Sequence, residues 1–235
     1  MPPAVTLVIP VLFDADAASA LLAAHPAAPD VDVIVVDGAA DSRLEPVVAA
    51  HGSAVLLRAP AGRARQMNFG AAAATSEWLL FLHADSSLPR GWLPAIAGLD
   101  KEVIGGWFRF ALDDSAWQAR VIERLTAWRV KRFKLPYGDQ GVFVRRRTFE
   151  ALGGFRELPL MEDVEFVRRL VRAGRVVELP LPVRTSARRW RRDGWFRRST
   201  KNLVLVALFF MGVRPSFLAR WYRPSTPDSQ PPTPK

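Results

Sequence analysis

Short apolar runs that alternate with helical segments constrain the fold of this chain more than any other feature of its sequence. Four such runs occur early in the chain, each of a length typical of a strand: Val5–Pro10, Val31–Asp37, Ala54–Arg58 and Trp78–Leu82. Predicted helices separate them, at Ala15–Ala24, near Leu44–Ala50 and at Gly62–Ala74. Strands and helices that alternate at this spacing predict right-handed βαβ units, and therefore a doubly wound, mostly parallel sheet of the α/β class.

The first acidic stretch of interest follows the fourth run. Trp78–Leu82 is continuously apolar, as expected of a strand buried on both faces of a parallel sheet. His83 and Asp85 come directly after it, and the alternation of side chains puts both on the same side. Ligands bind at the carboxyl ends of such strands, where a carboxylate can hold a divalent cation. Asp85 is therefore a candidate metal ligand, and the alternative is a cap for a helix near Pro89.

The second acidic stretch opens a predicted helix at Met161–Glu165. The helix dipole stabilises negative charge at this end, and a carboxylate there can be aimed at a substrate. Glu162 and Asp163 are therefore candidates for general-base chemistry. The alternative is that they only provide favourable charge at a helix N-terminus.

The second half of the chain has a less regular pattern. It predicts a strand at Ile104–Leu112, an amphipathic helix at Ala116–Lys131, a strand at Val142–Val144, strands near Val176 and Val183, and an apolar helix at Asn202–Met211. Asp139 lies in the loop Gly138–Gly141, either as turn chemistry or as a contact to a second substrate. The arginines at 145–147 and at 168, 169 and 172 are interpreted as solvated helix faces.

Composition restricts the partners and the chemistry. At 235 residues, with 49% hydrophobic residues, the chain is most simply one domain. The net charge of +10 indicates an anionic partner, which could be a phosphate-bearing substrate, nucleic acid or acidic lipid. The chain has no cysteine, which excludes disulfides, thiolate metal sites and cysteine nucleophiles.

The sequence also indicates a location. The N-terminus lacks a basic region followed by a long apolar run, so we expect no signal peptide and a cytoplasmic protein. The longest apolar run, Leu203–Val213, is shorter than the roughly 20 residues that a spanning helix needs. Arg197, Arg198 and Lys201 flank this run close to aromatic residues, so peripheral contact with anionic lipid at the inner membrane face is left open beside simple packing on the domain.

These residues occur in an order that resembles a known family. Asp37 follows the second strand, Asp85 the fourth, and the pairs Glu162-Asp163 and Arg189-Trp190 come later, as in inverting family 2 glycosyltransferases of GT-A fold. The resemblance covers about residues 4–222. The strings GRARQMNFGA, FLHADSSLP, PYGDQGVFVRR, GGFRELPLMEDVE and TSARRW are similar to a bacterial subgroup labelled as arsenosugar-biosynthesis glycosyltransferases. The resemblance implies one GT-A-like domain at residues 1–222, with a nucleotide-binding half at about 4–100 and an acceptor-side half at about 101–222, followed by a disordered proline-rich tail at 223–235.

The resemblance also implies an activity and its residues. A sugar would move from a nucleotide-sugar donor, UDP-linked, to a hydroxyl on a small-molecule or lipid-linked acceptor, with inversion. Asp85 would bind Mg²⁺ or Mn²⁺, Asp163 would deprotonate the acceptor, and Arg189 would lie beside the diphosphate. The further substrate contacts would be Pro10, Asp14, Asp37, Arg63, Asn68, His83, Asp139, Glu162 and Trp190. The sequence departs from the family pattern at His83, where the Asp-x-Asp signature has its first aspartate, and at Ser186, where the Gln-x-x-Arg-Trp signature has glutamine.

Parts of the sequence are also compatible with two other classes of protein. The net charge and the arginine-aromatic stretch at Arg188–Phe196 favour a nucleic-acid-binding protein, but acids at the ends of successive elements would repel phosphates, so we expect no nucleic-acid partner. A nucleotidyltransferase would also use an α/β sheet and an acid-bound cation. It would usually carry a glycine-rich basic loop after the first strand, and residues 11–16 contain neither glycine nor a basic residue.

Overall fold

One mixed sheet runs through the computed structural model, which describes residues 3–25 and 27–222. The tail predicted at 223–235 lies outside the described residues. The strands, in chain order, are β1 (Val5–Val11), β2 (Val31–Asp37), β3 (Ala54–Arg58), β4 (Trp78–Phe81), β5 (Ser86–Ser87), β6 (Val103–Asp113), β7 (Val142–Arg145) and β8 (Arg175–Ser186). Their order across the sheet is β3-β2-β1-β4-β7-β6-β8-β5.

Helices flank this sheet. Those in the described part of the chain are α1 (Ala15–Ala24), α2 (Leu44–His51), α3 (Arg63–Ala72), α4 (Trp92–Ala97), α5 (Trp117–Phe133), α6 (Arg146–Ala151), α7 (Glu162–Ala173), α8 (Arg188–Asp193), α9 (Trp195–Phe210) and α10 (Pro215–Trp221), with a short 3-10 helix at Gly138–Gln140. None of these helices has the length and apolar character needed to cross a membrane.

The first four strands form the parallel part of the sheet. β1 pairs in parallel with both β2 and β4, and β2 pairs in parallel with β3, which confirms the predicted βαβ arrangement. Side chains of β1 alternate between two cores, with Leu7 in the one beneath α1 and Val8 in the one beneath α3. Gly70 lets α3 lie close to the sheet, because a Cβ there would meet a Val8 methyl group at 2.6 Å.

The remaining strands are mostly antiparallel. β7 pairs antiparallel with β4 and β6, β8 pairs in parallel with β6, and β5 pairs antiparallel with β8. The prediction of separate strands near Val176 and Val183 was wrong, because both belong to β8, which bridges an irregularity opposite Phe108 and Arg109. The apolar helix predicted from Asn202 begins earlier, at Trp195, so the basic residues before it are also helical.

The interpretation of the arginines at 145–147 as a solvated helix face is wrong for Arg145. Its side chain is buried at the end of β7, with its guanidinium over the Trp78 ring at 4.4 Å. It donates to the carbonyl oxygens of Val103 at 2.8 Å and Asp100 at 3.0 Å, and forms an ion pair with Glu77. A buried guanidinium needs such partners, and here they tie β7 to the first residue of β6 and to Asp100 before it.

Candidate active site

The pairing of β5 with β8 decides which charged residues meet. Asp85 directly precedes β5, and Arg188 and Arg189 lie just beyond β8 at the start of α8. Ser86 is paired with Thr185 in the sheet, and the Ser186 amide donates to the Asp85 carbonyl at 2.9 Å. This pairing therefore brings two arginines to the acidic residue that follows the parallel strand β4.

Asp85 is surrounded by positive charge. Its buried carboxylate lies 3.6 Å from Arg188 Nη2 and 3.8 Å from Arg189 Nη2. Arg188 also donates to Asp14, with Nη1 3.2 Å from Oδ1, and this hydrogen bond raises the pKa of Arg188. Arg188 thus links the loop after β1 to the residue after β4.

Asp163 lies at the start of α7, where the backbone holds its carboxylate in place. Oδ2 accepts a hydrogen bond from the Gly138 amide at 2.6 Å, and Oδ1 accepts one from the Val164 amide at 2.8 Å. The approach of Gly138 depends on its lack of a side chain, because a Cβ there would lie 3.0 Å from both Asp163 Oδ2 and His83 Nε2. The carboxylate is therefore oriented by two separate segments of the chain.

The helix that carries Asp163 begins at an unusual residue. Met161, the N-cap of α7, has φ of 69°, in the left-handed region that non-glycine residues seldom adopt. Its side chain is buried, in a cluster with Leu160 and Val164. Packing around Met161 offsets the backbone strain of this conformation. The turn at Met161 directs the first turn of α7 toward the other charged residues of the candidate site.

Arg63 joins the start of α3 to the start of α7. Its guanidinium forms an ion pair with the buried Glu162 and lies 3.9 Å from Asp163 Oδ2. Burial by itself would lower the pKa of Arg63, but these two carboxylates outweigh it and the pKa is raised. Arg63 Nη1 also lies 3.3 Å from His83 Nε2, and burial together with this positive neighbour lowers the pKa of His83 to about 3. His83 is therefore a neutral acceptor at physiological pH.

Asp139 and Trp190 lie next to Arg63, His83 and Asp163. Burial raises the pKa of Asp139 to about 6, and the nearby carboxylates of Asp163 and Asp85 add to the effect against the opposing charge of Arg129 and Arg63. Trp190 is buried on α8 and donates its Nε1–H to Ser199 Oγ at 3.1 Å. Asp139 is consequently a carboxyl group that titrates close to neutral pH.

Most of these side chains line one cavity of about 90 Å³. Among the predicted site residues, those that line it are Arg63, His83, Asp85, Asp139, Asp163, Arg189 and Trp190. The candidate metal ligand and the candidate base therefore face the same space, as the sequence predicts.

The other predicted residues lie outside this lining. Glu162 lies behind Arg63, and Asp14 reaches the site only through Arg188. Asp37 uses both carboxylate oxygens in its own turn, accepting from the amides of Ala39 and Asp41 at 2.8 and 2.7 Å. Asp37 therefore holds its own turn in this structure, and the substrate contact that the family resemblance implies for it stays a prediction.

Asn68 and Pro10 also lie outside the cavity lining. The Asn68 amide exchanges two hydrogen bonds with the backbone of Phe155, at 2.8 and 2.9 Å, which fastens the loop before α7 to α3. Pro10 is part of β1, paired with Val36. Donor contacts by these two residues stay predictions, and the hydrogen bonds of Asn68 give it a structural role.

Sequence reasoning missed several residues that shape the site. Gln66 is buried on α3 and donates its Nε2–H groups to the carbonyls of Val11 at 2.7 Å and Val36 at 2.8 Å, which holds the ends of β1 and β2 together. The available signal was that Gln66 shares the buried face of α3 with Met67 and Gly70, at helical spacing. Gly138 and Arg188 had no such local signal, because their roles arise from contacts with residues far away in the chain.

The donor set fits a divalent cation only together with phosphate oxygens. Within residues 3–25 and 27–222, no three His, Asp or Glu side chains cluster as a metal cage would require. Asp85 has a buried carboxylate that accepts no side-chain or backbone hydrogen bond from any described residue, so its oxygens are available to a cation. Mg²⁺ is usually held by one or two carboxylates plus substrate phosphates, which matches this arrangement. The arginines beside Asp85 also favour a cation that arrives with negative phosphate.

Comparison with solved structures supports the fold. A mannosyltransferase from Pyrobaculum calidifontis, solved in complex with GDP-Man and Mn²⁺, is similar over 78% of this chain and 57% of its own, with a TM-score of 0.61. The two sequences are 19% identical, so this likeness concerns the fold alone. The α/β architecture with a single, mostly parallel curled sheet is therefore one that a glycosyltransferase adopts.

Comparison of sequences identifies the family. Proteins described as uncharacterized glycosyltransferases in Mycobacterium bovis and Mycobacterium tuberculosis are 34% identical over 141 residues, which make up 58% of this chain. The matched part of this chain spans 64% of the length of these relatives. The model of the family described as Glycosyl transferase family 2 matches residues 12–153, more than half of the chain. The chain therefore belongs to glycosyl transferase family 2.

Proposed function

We propose that this protein is a metal-dependent, inverting glycosyltransferase that moves a sugar from a nucleotide-sugar donor to a hydroxyl acceptor. The family assignment supports transfer of a sugar. The observation that carries the proposal is that Asp163 and Asp85 line one cavity together with Arg189. A base, a candidate cation ligand and a fixed positive charge are the groups that displacement of a diphosphate requires.

In this reaction the acceptor oxygen forms a bond to the anomeric carbon of the sugar, and the bond from that carbon to the diphosphate breaks. The acceptor proton passes to Asp163, whose carboxylate is held by the Gly138 and Val164 amides. The electron pair of the broken bond leaves with the diphosphate. A single displacement of this kind inverts the anomeric centre, and one base next to the acceptor is sufficient for it.

Positive charge near the leaving group comes from the chain itself. Arg189 can engage phosphate oxygens with two parallel N–H groups, which a lysine could not do. Arg188 lies as close to Asp85 as Arg189 does and adds to the positive charge there, although it is also paired with Asp14. Removing one such donor typically costs about 3 kcal/mol in transition-state stabilisation. When bound at Asp85, Mg²⁺ or Mn²⁺ would add Lewis-acid stabilisation of the diphosphate.

The finer details of this proposal come from the family resemblance. A UDP-linked donor, the arsenosugar subgroup, a cytoplasmic location and peripheral contact with the membrane are predictions that await measurement. The structurally similar mannosyltransferase was solved with GDP-Man, so GDP-mannose belongs beside the UDP-sugars in any test of the donor.

The proposal is tested by thermal shift with a panel of UDP-sugars and GDP-mannose, each with and without Mn²⁺. We expect one donor to raise the melting temperature only when Mn²⁺ is present, because cation and diphosphate neutralise each other beside Asp85 and the arginines. The variant Asp85→Ala should lose this shift. The matched control Asp16→Ala, whose side chain is 95% exposed, should keep it.

The configuration of the product provides the second test. Turnover of the identified donor should give a product whose anomeric configuration, read by NMR, is opposite to that of the donor. Retained configuration would eliminate the single displacement, and the absence of any donor-dependent shift would eliminate the proposed activity.

A further inference from the structure

A second and larger cavity, of about 620 Å³, lies between α5 and α9. We call it the α5–α9 groove. Its walls carry large apolar side chains that are 44–63% exposed: Leu125, Trp128 and Phe133 on α5, and Phe196, Leu203 and Phe210 on α9. Single exposed apolar residues are ordinary, but six on the facing walls of one concave surface mark a binding site for an apolar molecule.

The groove follows the two helices. Near their first turns, the rings of Trp117 and Phe196 lie 5.9 Å apart, so the helices touch there. Phe133 and Phe210, at the last turns of the same helices, line the other part. The groove therefore has the elongated shape of an extended hydrocarbon chain.

The groove continues into the candidate active site. Tyr137, Asp139 and Trp190 line both cavities, as do Asn202 and Val206. Arg129 fixes this junction, because its guanidinium stacks over the Tyr137 ring at 3.6 Å and donates to the Leu135 carbonyl at 3.2 Å. An apolar passage thus ends where the polar groups around the candidate base begin.

On the polar side of this junction, one hydrogen-bond donor, Arg198 Nε, has no partner among the described residues. Arg198 lines the smaller cavity, and its Nε is buried. Its other nitrogens bond Asp193 at 2.7 Å and Tyr222 at 3.3 Å, so the side chain is held in place. An unsatisfied buried donor is costly, so the surroundings of Arg198 favour a polar group over an apolar one.

We propose that the α5–α9 groove holds the hydrocarbon chain of an amphiphilic acceptor, whose hydroxyl-bearing head lies beside Asp163. This inference rests on the proposed glycosyltransferase activity and names its acceptor class. A single hydrocarbon chain can enter the α5–α9 groove as far as its inner end beside Asp139, whereas a flat lipid surface cannot reach that end. The chain's own residues 223–235 contain no aromatic or large aliphatic residue, so they have nothing to bury in an apolar groove.

The test uses glucose and its hexyl, heptyl, octyl and nonyl β-glucosides as probes, each below its micelle-forming concentration. Isothermal titration calorimetry should show binding that tightens about two- to fourfold for each added methylene, because each one leaves water for the groove. The variant Leu203→Glu should abolish this dependence on chain length. Leu125→Glu, on the opposite wall, provides a second variant should the first fail to fold. Phe69→Glu is the control, since Phe69 is a helical residue, 48% exposed, that lines neither cavity.

Equal affinity for all the glucosides, or an unchanged dependence on chain length in both groove variants, would overturn the inference. Binding to anionic vesicles without binding to the monomeric glucosides would also overturn it, as would a dimer that Leu203→Glu dissociates. Donor-induced thermal shifts are measured on the same samples. Loss of the donor shift with chain-length dependence retained would refute the proposed function alone, whereas the reverse pattern would refute the acceptor class alone.

Discussion

The parallel part of the sheet, β1–β4, and the part formed by β5–β8 are built in different ways. In the first, β1, β2 and β3 are each followed by a helix, and β1 pairs with β2 and β2 with β3, the next strand along the chain. In the second, β8 lies between β6 and β5, and its partners are far away in the sequence. Strand ends in the regular half supply acidic positions, whereas the irregular half supplies the candidate base and the two arginines beside Asp85, Arg188 and Arg189.

The two parts also use buried polar groups differently. In the parallel part, Asp37 and Gln66 bond mainly to backbone and hold strand ends. In the other part, Asp139, Asp163 and Arg189 face the cavity. We therefore expect substitutions in the first group to act on stability and those of Asp163 and Arg189 to act on catalysis. Asp139 faces the cavity but also has a raised pKa caused by burial, so its substitution should affect stability as well.

The largest effect should come from Asp163→Asn. Asparagine keeps the size of the side chain and an oxygen for the Gly138 amide, but it cannot accept the acceptor proton. Removal of a general base should lower kcat by about 10² to 10⁴ while the donor-induced thermal shift is retained. Steady-state kinetics measure this, with Asp16→Asn as the exposed control. A kcat close to that of the wild type would remove Asp163 from the mechanism.

Gln66→Leu should be the most damaging change in the parallel part. It removes both hydrogen bonds that the Gln66 side chain donates, to the buried carbonyls of Val11 and Val36, although the Val11 carbonyl keeps the Gly38 amide as a donor. A buried hydrogen bond contributes about 0.5–1.5 kcal/mol, and more where a group is left unsatisfied, so the free energy of unfolding should fall by about 2–4 kcal/mol in denaturant titrations. Gln118→Leu, at a partly exposed position on α5, should change it little. A stable variant with lost activity would instead break the division between the two parts.

Asp139→Asn should show that the Asp139 carboxyl group lowers the stability of the folded protein in a pH-dependent way. The pKa of Asp139 rises from 3.8 to about 6 in the folded protein, so folding is opposed above about pH 6, where the carboxyl is charged in both states. Below about pH 4 it is protonated in both states and the penalty vanishes. The variant should therefore be more stable than the wild type by about 3 kcal/mol near pH 8 and nearly equal to it near pH 4. A difference that does not change with pH would refute this.

Gly138→Ala should have the smallest effect, and it should fall on catalysis. The added Cβ would lie 3.0 Å from Asp163 Oδ2 and His83 Nε2, so the carboxylate must shift by a few tenths of an ångström. We expect kcat to fall about tenfold, because small misplacements of a base are costly. The control Gly52→Ala has open space but φ of 78°, so it should lower stability by about 1 kcal/mol and leave kcat unchanged. Equal loss of activity in both variants would contradict the role of Gly138.

Much of the fold was predictable from local pattern. The bounds of β2 and β3 agree with the apolar runs. β2 is buried on both faces and needs continuous apolar sequence, whereas β3 is an edge strand that is partly exposed. The second half was predicted less well: β8 was taken as two strands, since Pro180 and Pro182 interrupt its pattern, and pairing across the irregularity keeps it continuous. Arg145 was assigned to the surface because composition does not reveal that Trp78 and three carbonyl or carboxylate groups enclose it.

The candidate site was predictable where chemistry is tied to the end of an element. Asp85 and Asp163 line one cavity, as expected from a strand end and a helix start. Asn68 was expected near the donor, but its amide bonds the Phe155 backbone, and sequence gives no means to tell a side chain that binds a ligand from one that binds a loop.

By itself, the sequence determined the α/β class, the parallel strands and the acids at their ends, because burial and side-chain alternation act over a few residues. The tertiary structure alone decided that β8 joins β5, that Gly138 reaches Asp163, and that α5 and α9 leave an apolar groove leading to the site. These contacts join segments far apart in the chain, so they depend on how whole elements pack and not on the residues around each position.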